Sequence, residues 1–156
     1  MKVRLLTVSN KQPGWVVEGT AEYARRLPRE WGFQVVEVKP EARTAGAAAA
    51  KIQAAEAARL RDKIGKGAQV VALDERGERW STKDLADRLA RWQQSGRDVA
   101  LVIGGADGLG AEFLAEAPQR FSLSALTLPH GLVRILVVEQ LYRACSLQQG
   151  HPYHRG

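Results

Sequence analysis

Short apolar runs separated by stretches of helical periodicity hold this chain to an α/β fold. Lys2–Val8, Phe33–Val38, Gln69–Leu73 and Val99–Ile103 are each too short for a buried helix and rich in Val, Leu and Ile, the composition of strands covered on both faces. A fifth short strand begins near Phe121, and the loop after it ends at Pro129. Between these runs, Trp15–Leu27 repeats apolar residues at helical spacing and stops at Pro28, and Ala42–Ala58 is alanine-rich enough to be helix rather than linker. Ser81 opens a further helix, with Asp84 three residues on as the acidic arm of a capping box and Asp84–Arg88 and Asp87–Arg91 as acid-first pairs one turn apart. A short helix is expected over Ala111–Ala117 and a long one over Gly131–Leu147. Strands alternating with helices predict a mainly parallel sheet with helices on both faces.

The last helix carries a second constraint. Leu132, Val133, Ile135, Leu136, Val137, Val138 and Leu141 leave it only a thin polar face. A helix apolar nearly all round has to be buried on several sides, so it sits at the centre of the domain or against a second subunit. Charge bears on partners: 23 Lys and Arg against 17 Asp and Glu give a net charge of +6, which favours encounter with polyanions. The lone Cys145 excludes an intrachain disulfide framework and a cysteine-based metal site. The histidines lack metal-ligand spacing, so no metal is expected. No apolar run approaches the ~20 residues that span a bilayer, and the expectation is a soluble, cytoplasmic protein.

Three segments could carry chemistry. Ile103-Gly104-Gly105-Ala106-Asp107-Gly108 follows an apolar strand, where ligands of α/β sheets sit. It matches neither GxGxxG nor a phosphate loop, so a tight turn and a ligand site both fit it. The loop Leu123-Ser124-Ala125-Leu126-Thr127-Leu128-Pro129-His130 is apolar with two hydroxyls, suited to an adenine ring or to a buried crossover. The ending His151-Pro152-Tyr153-His154-Arg155-Gly156 concentrates proton-transfer and anion-binding groups; a solvated basic end is the plain alternative.

Together these segments, in this order and at these distances, closely resemble the ribosomal RNA large subunit methyltransferase H family, small members of the SPOUT, or α/β-knot, class. The start KVRLLTVSNKQPGWV and the segments EYARRLP and RDVALVIGG also resemble it, so the likeness runs the whole length. Ala106 and Asp107 stand where many relatives have Pro and Glu, and Cys145 where an aromatic is common. The resemblance implies one SPOUT methyltransferase domain over residues 1–156, a C-terminal trefoil knot, and a homodimer whose sites are completed by the partner subunit. It implies S-adenosylmethionine as cofactor, held by Leu73, Gly104, Gly105, Leu123, Ser124, Ala125, Leu126, Thr127 and Leu128. The implied reaction is methylation of N3 of a pseudouridine in 23S rRNA, with the rRNA expected within assembled ribosomes. His154 or Tyr153 would then handle the N3 proton, and Arg155 and Arg134 would meet phosphate or developing charge. The competing readings are a non-catalytic basic RNA-binding or ribosome-assembly protein and a SPOUT enzyme acting on transfer RNA. The latter is disfavoured by the lack of an appended RNA-binding domain.

Arg25, Arg26 and Arg29 cluster at the end of the first helix as candidate phosphate contacts. Replacing all three by Gln weakens ribosome binding and flattens its salt dependence; an unchanged salt slope makes them bystanders.

Overall fold

The computed structural model describes residues 1–155, with His154 and Arg155 described by backbone alone. The catalytic roles expected of those two side chains lie outside the described residues. Five strands form one parallel sheet in the order β2-β1-β4-β3-β5. They are β1 (Val3–Val8), β2 (Gln34–Val38), β3 (Gln69–Arg79), β4 (Val99–Ile103) and β5 (Gln119–Ser122). Helices α1 (Gly14–Ala24), α3 (Thr82–Ser95) and α5 (His130–Gln148) share one face; α2 (Ala49–Lys63) and α4 (Ala111–Glu116) cover the other. Period-two alternation divides the core. Val3, Leu5, Val71, Leu101 and Ile103 face the first layer, and Leu6, Val8, Ala100 and Val102 face the second.

The parallel sheet with helices on both faces is the expected one, but several boundaries differ for identifiable reasons. The alanine-rich helix begins at Ala49, seven residues late, because Gly46 takes a left-handed φ of 80° and residues 44–47 turn. The segment before it becomes a strap instead: Glu41 pairs with Arg59 at 2.7 Å and Arg43 with Asp107 at 2.6 Å. At its other end α2 outruns Ala58, because Leu60 is wholly buried under the sheet.

Strand β3 does not stop at Leu73. It runs on through a polar stretch to Arg79, and Leu73 and Glu78 both register with Phe121 of β5, so residues 74–77 leave the ladder and bulge out. Hydrophobic pattern cannot reveal such an extension, since backbone pairing to β5 sustains it. Helix α1 ends at Ala24, and a 3-10 turn over Arg29–Trp31 inserts the buried Trp31.

The capping box of α3 is present: Ser81 N–H donates to Asp84 Oδ2 at 2.8 Å, and Asp84 N–H donates to Ser81 Oγ at 3.0 Å. Arg88 turns to Glu78 and lies 4.2 Å over the Trp80 ring, away from the pairing expected with Asp84. In α5, Val137, Val138, Leu141, Ala144 and Cys145 are buried against α1 and α3. Leu132 and Leu136 stay exposed on the outer side, as does Trp15 at the start of α1. Among the described residues no helix is long and apolar enough to cross a membrane.

Leu141 is 1% exposed at the junction of the three helices. Leu141→Ala removes about 2–5 kcal/mol of stability, read as a lower urea midpoint at unchanged slope.

Candidate functional site

Because all five strands are parallel, their carboxyl ends share one edge, and the loops leaving β3, β4 and β5 meet there. They enclose a cavity of about 550 Å³, within the range of small-molecule sites. Apolar walls come from Leu73, Ile103, Leu114, Phe121, Leu123 and Val133. The glycine loop crosses one side, and the Leu123–Leu128 loop the other. Of the residues expected to hold a cofactor, Leu73, Gly104, Gly105, Leu123, Ser124, Leu126, Thr127 and Leu128 line this cavity, whereas Ala125 does not.

The glycine loop is folded onto itself. Gly108 N–H donates to Gly105 O at 2.9 Å, and Gln53 Nε2 donates to Asp107 O at 2.7 Å. A side chain on Gly104 would put its Cβ 2.7 Å from Gly108 C and 2.8 Å from Leu109 N. Position 104 is therefore glycine because the loop's own backbone passes there, a stronger demand than room for a ligand. In the facing loop, Ser124 Oγ accepts from Leu126 N–H at 2.9 Å while Ser124 O accepts from Ser122 Oγ at 3.1 Å. The Ser124 hydroxyl shapes the turn, leaving Leu126 72% exposed at the rim.

Wall residues that sequence reasoning missed include Asp74, Glu75 and Arg76 of the β3 bulge; His130 at the start of α5, expected as a packed or capping histidine with a base role in reserve, also lines the wall. The first three were unreadable because the bulge depends on the double registration with β5. His130 lies in the PH pair that closes the apolar loop, a signal compatible with a plain helix start. Burial, helped by the Arg134 guanidinium and opposed by the Glu56 carboxylate, lowers its pKa below the usual histidine value. The imidazole is thus neutral near pH 7 and able to accept a proton at the cavity wall.

Neither of the expected catalytic side chains among the described residues, Arg134 and Tyr153, lines this cavity. Arg134 is 3% exposed and donates to Ser9 Oγ at 2.9 Å and to Glu37 Oε2 at 3.5 Å; it is absent from the wall. Tyr153 packs back on α5: its hydroxyl donates to Glu139 Oε1 at 3.0 Å, its ring meets Tyr142, and Arg143 lies over it. Neither Glu139 nor Tyr153 lines the cavity. Burial and then the Glu139 bond raise the Tyr153 pKa, so the phenol is a hydrogen-bond donor and a poor base. Burial also pushes the Cys145 thiol up to about 12, which removes it as a nucleophile. Among the described residues no group of three His, Cys, Asp or Glu is placed to hold a metal.

The cavity suits a compact ligand with an apolar ring and a positively charged part, since among the described residues Asp74 and Glu75 line it against Arg76, while Asp107 on the wall is paired with Arg43. That is the chemistry of S-adenosylmethionine, so the residues present fit the cofactor that the resemblance implies. Gly104→Ala forces residues 104–109 apart. Calorimetry then shows S-adenosylmethionine binding lost, while hydrogen exchange rises in that loop and stays slow in β1 and β4; intact binding refutes the close approach.

Comparison with known proteins agrees with this geometry. A family model described as "Predicted SPOUT methyltransferase" matches residues 1–154. Proteins named ribosomal RNA large subunit methyltransferase H from Burkholderia multivorans and Burkholderia vietnamiensis are each 52% identical to this chain over 155 residues, covering 99% of both sequences. Among solved structures, a probable methyltransferase from Bordetella pertussis Tohama I superposes with a TM-score of 0.60 at 17% identity, over 92% of this chain and 95% of that one. A probable methylase family protein from Haemophilus influenzae gives a TM-score of 0.60 at 14% identity, over 97% of this chain and 69% of that one; both likenesses speak to the fold. With a cavity of this kind at the carboxyl edge of a parallel sheet, and half of all positions shared along the full length, the chain belongs to the SPOUT methyltransferases, in the ribosomal RNA large subunit methyltransferase H family.

Proposed function

We propose that this chain is an S-adenosylmethionine-dependent methyltransferase that methylates N3 of a pseudouridine in 23S rRNA of the large ribosomal subunit, acting in the cytoplasm as one SPOUT domain with the family's C-terminal knot. The observation that carries the reading is the cavity between the glycine loop and the Leu123–Leu128 loop, at the carboxyl ends of β3, β4 and β5. Bound there, S-adenosylmethionine supplies an electrophilic methyl group. Leu73, Ile103 and Leu123 take its apolar portion, the loop backbones meet its polar edges, and the exposed rim at Leu126 admits the nucleotide.

The imide N3 is a weak nucleophile until its proton leaves, so the site needs an acceptor. His154 is proposed for this role, with the neutral His130 imidazole on the wall as the alternative within the same chain. Tyr153, held protonated, is proposed as a donor that orients the base. Arg155 meets phosphate or the charge developing on the imide. Arg134, occupied by Glu37 and Ser9, is proposed to anchor the start of α5 and so position His130.

The reading requires a homodimer. Two features support it: Tyr153 is tied to α5 outside its own cavity, and Trp15, Leu132 and Leu136 expose apolar surface along α1 and α5. A second subunit covering that surface buries it and brings a tail to the opposite cavity.

Deleting residues 153–156 tests both parts of the reading. Sedimentation still shows a dimer, and calorimetry gives S-adenosylmethionine affinity close to that of the full chain, because the cavity lies in the loops. Methyl transfer, followed by mass spectrometry of 23S rRNA from treated ribosomes, is abolished. His154→Ala alone costs ~10²–10⁴-fold in rate, the usual size of a lost general base, and recovers partly at high pH, where N3 loses its proton unaided. Full transfer by the truncated protein removes the tail from catalysis.

A further inference from the structure

Among the described residues Glu56 is the one buried carboxylate, and the proposed chemistry leaves it unused. It lies on α2 one turn beyond Gln53 and is 5% exposed. Its Oε2 accepts the Glu41 N–H at 3.1 Å, while Oε1 is buried without a hydrogen-bond partner. No ion pair among the described residues is formed with it: Arg59 pairs with Glu41 and the Lys39 carbonyl, Arg43 with Asp107, and Arg134 through its Nη2 with Glu37, with the buried Arg134 Nε left without a partner. Burying a carboxylate without a counter-ion is costly, and packing alone would favour an apolar side chain of the same size.

The carboxylate presses on the glycine loop from behind. A Cβ on Gly105 would stand 2.8 Å from Glu56 Oε1 and 3.0 Å from Oε2, and Gly105 is part of the cavity wall. Glycine at 105 keeps this charge one backbone thickness from the ligand space. Its field reaches the cavity, since Glu56 opposes the lowering of the His130 pKa that burial and Arg134 produce. A charge so placed, shielded from bulk water, is screened little by salt.

We infer that Glu56 sets the charge preference of the cavity, drawing in a ligand that is cationic beside the glycine loop and holding its neutral counterpart less tightly. The inference rests on the S-adenosylmethionine reading and deepens it. The sulfonium donor gains from the Glu56 field. The thioether that remains after transfer has lost the positive charge and gains nothing, so the same residue favours loading of the donor and release of the product. Glu56 is a positioning and selectivity residue and touches no reacting atom.

Calorimetry on the full-length protein tests this with three ligands: S-adenosylmethionine, S-adenosylhomocysteine, and sinefungin, which carries an amine cation near the position of the sulfonium. Wild type favours both cations over the neutral thioether. Glu56→Gln keeps the shape and removes the charge, and it lowers that preference about tenfold, the size of one charge acting over roughly 12 Å at an effective dielectric of about 20. Its affinity for S-adenosylhomocysteine stays nearly constant. Glu56→Asp retains the charge and the preference. A parallel loss for all three ligands in Glu56→Gln overturns the inference and leaves Glu56 as a prop for the loop. If Glu56→Gln fails to fold, the wild-type series decides: equal affinity for the neutral and cationic ligands overturns it. Wild type that binds none of the three refutes the cofactor reading itself and this inference with it.

Discussion

Strand β4 has no solvent face. All five of its residues, Val99–Ile103, are buried, with β1 and β3 hydrogen-bonded on either side and a helical layer above and below. Each Val, Leu or Ile so enclosed contributes roughly 1.5–3 kcal/mol relative to exposure, so this strand cannot leave the sheet without losing all of that burial. Everything at the cavity inherits that rigidity. Ile103 ends the strand at a set depth, Gly104 begins the loop there, and the loop's return past Gly108 is close enough to exclude a side chain at 104. The neighbouring strand ends, Leu73 and Phe121, stand at the same edge because the sheet is parallel throughout.

Around this frame the polar groups divide into those that hold the loops and those left for a ligand. Gln53, Arg43 and the Ser124 hydroxyl spend their hydrogen bonds on loop backbone or on Asp107. At the start of α5 the buried Arg134 reaches out to the exposed Glu37 and to Ser9. Such a pair adds little net stability once desolvation is counted, and breaking it by removing one partner is costly. Its effect is to fix where α5 begins, and hence where His130 meets the cavity. The groups left over are Asp74, Glu75, Arg76 and His130 on the wall and Glu56 behind the glycine loop.

Helix α5 carries a packed inner side and an exposed apolar outer one. Its inner side is filled by contacts with α1 and α3, while Leu132 and Leu136 continue outward beside Trp15. Two large apolar side chains of an over-apolar helix therefore remain on the surface of the single chain. The terminal turn lies on the same helix, with Tyr153 held by Glu139, Tyr142 and Arg143. Tail and apolar face thus occupy one element, which explains why a reading that depends on the tail also depends on a second subunit.

Much of the fold was legible because burial leaves a local trace. The run of Val99–Ile103, the Ser81 capping box and the unbroken apolarity of α5 each state in sequence what they do in space. The two loops at the cavity were legible through resemblance; their composition alone fitted a turn or a crossover equally well. The sequence by itself determined the alternating α/β layout, the strand faces and the loops that could meet a ligand, since period-two and helical patterns are local properties of the chain. Only the tertiary structure decided that residues 74–77 bulge over the cavity, that Arg43 becomes part of a strap rather than a helix, that Arg134 turns inward to Glu37, and that Glu56 lies buried behind Gly105. Each of these rests on a partner distant in sequence: Phe121, Asp107, Glu37 and the glycine loop. A pairing of that kind leaves no periodicity in the sequence to be read.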